Sequence, residues 1–275
     1  MHFPHPRSCS RREKGVFSSN PLIMARFTFK VLTYNIHKGF DLYNRQFVLH
    51  MIREHLHAVN VDIVFLQEIH GEHERHEARI EGWPEVSQFE FLADQLWTHY
   101  AYGRNAIYSA GHHGNAILSK FPIEEWKNIN VSKWSRASRS LLHGVAQDPQ
   151  TGLRLHVICV HLGLMGFLRN RQLDILMRYI NENLDAQAPL ILAGDFNDWS
   201  GRLGRRLEAE LALIEAFRTS HGHYARTWPS NWPLLQMDRI YFRGLKLEEC
   251  ICFGGLPWKR LSDHAPLYAK FKMAG

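Results

Sequence analysis

The sequence contains no long apolar run, and only four of its 275 residues are cysteine. No apolar stretch reaches the ~18 residues that a membrane-spanning helix needs, so we expect no transmembrane segment. No CxxC pair occurs: Cys9 lies near the start, Cys159 lies within an apolar run, and Cys250 and Cys252 alternate along a predicted strand. This pattern favours reduced thiols in a cytoplasmic protein over a disulfide framework or a zinc cluster.

Three motifs of common enzyme classes are also missing. The chain has no GxxxxGKS/T phosphate loop, no GxGxxG dinucleotide loop and no GxSxG nucleophile turn. NTPase, dinucleotide-dependent and serine-hydrolase activities therefore lack the residues that they require. The sequence shows neither an internal repeat nor a low-complexity linker, so one domain is the simplest organisation.

The excess of positive charge is small. The formal net charge is +6, and four basic residues against one acidic residue before Met24 supply half of it. The remaining charge is compatible with a phosphorylated substrate but falls short of the basic stripe typical of nucleic-acid binding. We expect residues 1–24 to be a disordered tail or an extension from an upstream start, and residues 25–275 to form a single, monomeric domain.

Polar residues follow a short buried strand at Leu190–Ala193. Gly194 ends the apolar run, and Asp195 and Asn197 come directly after it. Open α/β sheets bind their ligands beyond the carboxyl ends of the strands, so this is a suitable place for an active site. An Asx-rich turn that merely closes the strand explains these residues alone equally well.

Six more predicted strands carry polar side chains at or near their ends. They are Phe27–Asn35 with Asn35, Val61–Leu66 followed by Glu68, His113–Ser119 with Asn115, Leu155–Val160 followed by His161, Met237–Phe242 with Asp238, and Leu267–Phe271 preceded by Asp263 and His264. Magnesium prefers oxygen ligands and takes one or two carboxylates from a protein, for which Glu68 and Asp263 suffice. Imidazoles and carboxamides can hold phosphate oxygens. These are the residue types that a metal-dependent phosphoester hydrolase requires.

Strands outnumber helices, and several strands follow one another without a helix between them. Periodicity predicts helices over Gln46–Val59, Gln88–Trp97, Leu168–Leu184 and Leu207–Phe217, and a hairpin of Met237–Phe242 with Leu245–Phe253. This order favours two packed sheets flanked by helices over a plain βαβ repeat.

His70, His73 and His76 recur at every third position. Their spacing differs from the HExxH arrangement that places two imidazoles and a base around zinc. Glutamates alternate with these histidines, so a solvated loop or lid is favoured over a metal site.

Taken in order, these segments resemble the endonuclease/exonuclease/phosphatase superfamily, which includes deoxyribonuclease I, abasic-site endonucleases, neutral sphingomyelinases and inositol-polyphosphate phosphatases. The matching motifs are TYNIH with Asn35, LQE with Glu68, GNAILSKFP with Asn115, VHLG with His161, GDFND with Asp195 and Asn197, MDRIY with Asp238, and LSDHAP with Asp263 and His264. Each motif alone is weak evidence for the resemblance, but the full set, in this order from Phe27 to Phe271, is specific to the superfamily. The resemblance implies a deoxyribonuclease I-like α/β (α+β) fold, a four-layer sandwich of two packed mixed β-sheets flanked by helices.

The resemblance also implies roles for these residues. It implies Mg²⁺, or alternatively Mn²⁺, as cofactor, with Glu68 as the principal ligand and Asn35 and Asp263 on the metal or its waters. It makes Asp195 the residue that positions or deprotonates the attacking water. The other implied roles are phosphate binding by Asn197 and His161, pairing of Asp238 with His264 for acid/base work or for holding the phosphate, and substrate binding by Asn115 and, as a looser match, by Arg139.

The implied reaction is hydrolysis of a phosphodiester. His37 stands where abasic-site endonucleases have an aspartate, which weakens a DNA-repair function, and the NAILS and HLG segments look more like bacterial members whose substrates are unsettled. A catalytically inactive binding module is disfavoured because Glu68, Asp195, Asp263 and His264 are all present.

Four tryptophans in the loops around these motifs bear on the substrate. Trp134, Trp199, Trp232 and Trp258 can stack bases, contact acyl chains, or simply pack the edge of the sandwich. Since neither a strongly basic surface nor an amphipathic membrane anchor is evident, nucleic acid is only slightly favoured over a phospholipid or a small phosphodiester.

Overall fold

The computed structural model describes residues 28–132 and 139–273. The predicted tail over residues 1–24 and the tryptophan at position 134 lie outside them. The strands are β1 (Thr28–Asn35), β2 (Ile63–His73), β3 (His99–Tyr108), β4 (Gly111–Ser119), β5 (Ile123–Asn130), β6 (Ser140–Gln147), β7 (Arg154–His161), β8 (Leu190–Asp195), β9 (Ile214–Glu215), β10 (Asp238–Arg243), β11 (Leu245–Cys252) and β12 (Leu267–Met273).

Short and long helices connect these strands. They are α1 (Leu49–Val59), α2 (Glu74–Glu77), α3 (Gln88–Ala93), α4 (Gly166–Asn183), α5 (Arg202–Leu211), α6 (Ala216–His221) and α7 (Trp258–Leu261), with a 3-10 turn over His37–Gly39. Among the described residues, none of the helices is both long and apolar enough to cross a membrane.

The strands form two mixed six-stranded sheets. The first has the order β11-β12-β1-β2-β4-β3, and the second has the order β5-β6-β7-β8-β10-β9. Each contains one parallel pair, β1 with β2 and β7 with β8, while the other neighbours are antiparallel. Helix α1 connects the first parallel pair and α4 the second, because a parallel connection needs a long crossover.

Apolar side chains fill three layers. The middle layer lies between the sheets, with Phe65 from the first sheet and Ile240 from the second. One outer layer packs α1 and α3 against the first sheet through residues such as Ile52, and the other packs α4 and α5 against the second through Leu173 and Leu207. The order helix, sheet, sheet, helix confirms the predicted four-layer sandwich.

Alternation along the strands determines which polar ends face the gap between the sheets. Side chains two residues apart on a strand share a face. Val31 of β1 lies in the middle layer, so Asn35 at the strand end points toward the same gap. Ala193 of β8 also lies in the middle layer, so Asp195, two residues later, points toward the gap as well. The same rule applies to His161 at the end of β7 and to Asp238 at the start of β10.

The predicted hairpin of β10 with β11 is wrong. Strand β10 pairs with β8 and β9 in the second sheet, whereas β11 pairs with β12 in the first. Phe242 and Leu245, on either side of the turn at Gly244, both pack in the middle layer. The turn therefore carries the chain from one sheet to the other, because each strand buries one face in the shared core.

The predicted solvated loop at His70–His76 is also wrong. Strand β2 continues as far as His73, and His70 is only 2% exposed. Pairing with β4 extends this strand beyond the apolar run, and the ring of Trp83 packs on His70. Burial here depends on residues that are distant in the sequence.

The predicted helix over Leu207–Phe217 is interrupted. Helix α5 starts earlier, at Arg202, and ends at Leu211, where Ala212 has a left-handed φ of 52°. Strand β9 then pairs with β10 before α6 begins, so sheet pairing overrides the helical pattern.

Gly194 lies in β8 immediately before Asp195 and has a φ of 144°. A Cβ at this position would overlap the carbonyl oxygen of Val160 on β7. We expect Gly194→Ala to lower the free energy of unfolding by about 2–4 kcal/mol, through backbone strain and forced separation of the strands. Gly254→Ala is the control, because a Cβ there meets nothing within 4 Å. Equal stability of the two variants in chemical denaturation would contradict this close packing.

Candidate active site

A cavity of about 500 Å³ opens beyond the ends of β7 and β8. Seven of the ten predicted site residues line it, so the structure brings together side chains from across the sequence. They are Glu68, Arg139, His161, Asp195, Asn197, Asp263 and His264, accompanied by Leu164, Trp199, Trp228, Leu235 and Met237. Asn35 and Asp238 lie behind this lining and bond to it.

Asp195 lies at the centre of the buried polar groups. Strand register places His161 of β7 and Asp238 of β10 directly beside it. Its Oδ1 accepts a hydrogen bond from the backbone N–H of Asn197 at 2.9 Å, and its Oδ2 accepts one from Nδ2 of Asn35 at 3.3 Å. Burial raises the pKa of Asp195 to about 7. A carboxylate with this pKa can take up a proton near neutral pH.

His264 and Asp238 form a buried ion pair. Nδ1 of His264 donates a hydrogen bond to Oδ2 of Asp238 at 2.8 Å. Burial by itself lowers the pKa of His264, but the Asp238 carboxylate outweighs burial and raises that pKa to about 10. His264 is therefore an imidazolium at neutral pH, and its Nε2 lies 3.9 Å from Oδ2 of Asp195.

His161, unlike His264, is a neutral imidazole. Its Nε2 lies 3.5 Å from Oδ2 of Asp195, and its Nδ1 lies 3.5 Å from a guanidinium nitrogen of Arg139. Burial and the Arg139 charge hold the pKa of His161 well below its ordinary value. One oxygen of Asp195 thus has a neutral imidazole and an imidazolium within 4 Å.

Glu68 and Asp263 contribute two further carboxylates to the cavity. Glu68 lies at a register shift between β2 and β4 and has a left-handed φ of 54°. This bulge brings into the cavity a side chain that regular alternation would direct away from the gap. Oε2 of Glu68 lies 3.4 Å from Nζ of Lys38, and Oδ2 of Asp263 accepts a hydrogen bond from Nε1 of Trp228 at 3.1 Å.

Two groups of side chains have the composition of a cation site. Ligand atoms of Asp195, Asp238 and His264 lie within 4.8 Å of one another, but the imidazolium of His264 has no free lone pair for a metal. The carboxylates of Glu68 and Asp263 line the open cavity instead. Because hard cations prefer oxygen ligands, this second group fits Mg²⁺ or Mn²⁺.

Three predicted asparagines are partly engaged in local hydrogen bonds. Oδ1 of Asn35 accepts from the backbone N–H of His37, and Nδ2 of Asn197 donates to the carbonyl of Leu162. Asn115 is buried in β4 outside the cavity lining, and its Nδ2 donates to a backbone carbonyl of β6. These amides hold the segments around the cavity together. The predicted contacts of Asn115 and Asn197 with substrate, and of Asn35 with the metal or its waters, stay predictions.

Lys38 and Trp228 belong to the site but were not among the predicted residues. The sequence could have indicated Lys38, because this residue directly follows the TYNIH motif. In the structure it lies in the 3-10 turn with a φ of 60°. Trp228 lies 35 positions before the Asp263 carboxylate to which it donates. No local pattern connects those two residues, so only the fold reveals their contact.

Comparisons with other sequences agree with this geometry. The sequence model of the endonuclease/exonuclease/phosphatase family matches residues 32–264. An uncharacterized protein, YbhP of Escherichia coli strain K12, is 46% identical over 248 residues, which cover 90% of this chain and 98% of that protein. A UPF0294 protein of Vibrio cholerae is 29% identical over 148 residues, which cover 52% of this chain and 48% of that protein.

Solved structures share the fold. An endonuclease/exonuclease/phosphatase from Beutenbergia cavernae has a TM-score of 0.72 at 20% identity, covering 91% of this chain and 72% of that one. D. rerio TDP2 in complex with a single strand DNA product has a TM-score of 0.67 at 18% identity, covering 90% of this chain and 99% of that one. Identities this low establish the fold alone. Because the family match extends over most of the sequence, the chain belongs to the endonuclease/exonuclease/phosphatase family.

Proposed function

We propose that this protein is a divalent-metal-dependent phosphodiesterase that acts on nucleic acid. The observation that supports this most strongly is the charge pattern around Asp195, a buried carboxylate of near-neutral pKa between a neutral His161 and a cationic His264. Hydrolysis of a phosphoester needs a base for water and positive charge for the phosphate, and this cavity offers both. Both activities in the family name, nuclease and phosphatase, are reactions of this kind.

The side chains divide the work of the reaction. Asp195 orients a water molecule and takes its proton while the water oxygen attacks phosphorus and the bond to the leaving oxygen breaks. Nε2 of His264 and the guanidinium of Arg139 hold the phosphate oxygens, where negative charge must be stabilised. His161, as a neutral imidazole, donates or accepts one hydrogen bond beside them. Asn35 keeps Asp195 oriented through its 3.3 Å hydrogen bond.

A metal ion would add to the positive charge around the phosphate. Glu68 and Asp263 would hold Mg²⁺ or Mn²⁺, with Asn35 near its waters, and the bound ion would supply Lewis-acid stabilisation of the phosphate charge. Lys38 next to Glu68 adds a second positive charge to this part of the cavity. Asp238 acts through His264, because it holds that imidazole in its protonated form.

Nucleic acid is supported by two exposed indole rings, one on the cavity rim and one in the loop between the cavity residues Trp228 and Leu235. Trp199 lies on the rim with the Arg169 guanidinium 4.8 Å from its ring centroid, and Trp232 is 71% exposed. Exposed indole rings suit stacked bases, and Arg169 adds positive charge beside Trp199. The free thiols of Cys159 and Cys250 fit action in a reducing compartment such as the cytoplasm.

A phospholipid is the second candidate substrate, and one loop favours it. Leu164 and Met165 between β7 and α4, and Phe167 in the first turn of α4, are each about 60% exposed, and Leu164 lines the cavity. Exposed apolar side chains so close together are uncommon on a protein that contacts only water. They would lie against acyl chains if the substrate were a lipid.

Removal of the metal or of the water-orienting carboxylate should abolish most activity. EDTA should eliminate turnover, and Glu68→Ala and Asp195→Ala should each lower kcat by ~10² or more, the usual scale of one acid/base or electrostatic group. Glu85→Ala, an exposed acid outside the cavity lining, is the matched control. Full turnover by folded Asp195→Ala, free of contaminating nuclease, would disprove the assignment.

Asp238→Asn tests the charge of His264. The folded-state pKa of about 10 exceeds the ordinary 6.5, so the pair stabilises the fold fully below pH 6.5 and loses this effect as the pH rises through 10. We expect the variant to lose about 3–5 kcal/mol of unfolding free energy below pH 6.5 and much less at pH 10. Urea unfolding of both proteins at each pH measures the difference. An equal loss at both pH values would show that His264 is not held as an imidazolium.

A side-by-side assay should identify the substrate class. Single-stranded DNA, nicked DNA, RNA, mixed phospholipid vesicles and bis-nitrophenyl phosphate are compared, with Asp195→Ala as the blank. We expect the protein to cleave nucleic acid. Trp232→Ala should slow this cleavage, because stacking contributes about 1–3 kcal/mol per base, and Phe167→Ala should leave its rate unchanged. Release of lipid head groups with nucleic acid intact, and its loss in Phe167→Ala, would reverse the ranking.

A further inference from the structure

Three histidines converge outside the catalytic cavity. His70 and His73 belong to β2, and His76 lies in α2. One ring nitrogen of each histidine lies within 4.8 Å of a ring nitrogen of each of the other two. None of them lines the cavity that holds Asp195. We name these three residues the histidine cluster.

The cluster contains imidazole nitrogens that are buried and have no partner. Nε2 of His70 and Nδ1 of His76 form no hydrogen bond with any described residue. The other nitrogen of His70, Nδ1, lies 3.0 Å from the hydroxyl of Tyr108. If Nδ1 donates to this hydroxyl, Nε2 keeps a free lone pair directed away from Tyr108. Histidines that bind metals usually donate their second ring N–H to a neighbour in this way.

Aromatic rings surround the cluster. The ring of Trp83 packs 5.1 Å from His76 and 5.6 Å from His70. His113 lies opposite His70 on β4, with ring centroids 6.0 Å apart, and its buried Nδ1 likewise has no hydrogen-bond partner in the described part of the chain.

We propose that His70, His73 and His76 bind a divalent transition metal such as Zn²⁺, with His113 beside them as a fourth imidazole. Imidazole nitrogen suits zinc and related ions, whereas the carboxylates of the catalytic cavity suit magnesium. The protein would then hold two cations of different chemistry.

Small movements would complete this site. Nitrogen ligands of a tetrahedral zinc at about 2.0–2.1 Å stand roughly 3.3 Å apart, so separations of up to 4.8 Å between the ring nitrogens must shorten by up to about 1.5 Å. The stacked rings of His73 and His76, with centroids 3.5 Å apart, must also separate. His73 would give up the hydrogen bond that its Nδ1 accepts from the backbone of His76. Since Glu68 precedes His70 by two residues, a bound ion would fix the segment that carries a catalytic carboxylate.

Cobalt binding to the full-length chain tests this proposal without reference to activity. The protein is titrated with Co²⁺ in excess Mg²⁺, and the visible absorption of tetrahedral cobalt is recorded. We expect the wild-type protein to bind one Co²⁺. The affinity of His73→Gln/His76→Gln for Co²⁺ should be at least tenfold lower. The matched control, His221→Gln/His223→Gln, removes two exposed histidines elsewhere and should bind like wild type.

Thermal unfolding with and without Zn²⁺ gives an independent measurement, because an ion that binds only the folded state raises Tm. We expect Zn²⁺ to raise the Tm of wild type and of the control but not of His73→Gln/His76→Gln. The single variant His76→Gln replaces the double variant if the latter does not fold. Equal Co²⁺ affinity, or an equal Tm shift, in wild type and the cluster variants would overturn the proposal.

Discussion

Burial of the Asp195 carboxylate is the constraint on which the rest of the site depends. A charge taken out of water is tolerated only with hydrogen bonds and opposite charge around it. The fold meets this need through strand register, which sets His161 and Asp238 on the two strands beside Asp195. Asp238 in turn keeps His264 protonated, so a positive charge faces the buried acid. The charge states of the site therefore follow from the order and pairing of the strands.

The packed layers of the sandwich hold the site residues in place, and residues with irregular backbone geometry shape the cavity. Three apolar layers hold both sheets, so the strand ends have little freedom to move. Three departures from regular geometry lie at the cavity: Glu68 and Asn197 have left-handed backbone conformations, as does Lys38 in the 3-10 turn. Strained residues of this kind persist only where the surrounding packing imposes them. Here they direct a carboxylate and an ammonium group to one part of the cavity.

Features with a local cause could be predicted from the sequence, and features that depend on distant contacts could not. The polar ends of β7 and β8 follow directly from apolar runs that stop at His161 and Asp195. The separation of β10 from β11 depends instead on which sheet each joins, and pairings between distant strands leave no local signal. The burial of His70 depends on β4 and Trp83 in the same way. The pKa of His264 depends on a partner 26 positions away.

The position of the proposed metal ion tests the central claim most directly. A crystal structure of the protein with Mn²⁺, with data collected for anomalous scattering, locates the ion without reference to any substrate. The proposal predicts a peak within about 2.0–2.6 Å of carboxylate oxygens of Glu68 and Asp263, the range for hard cations with oxygen ligands. A single peak between Asp195 and Asp238, with the imidazole of His264 as a ligand, would contradict both the assigned metal site and the imidazolium state of His264.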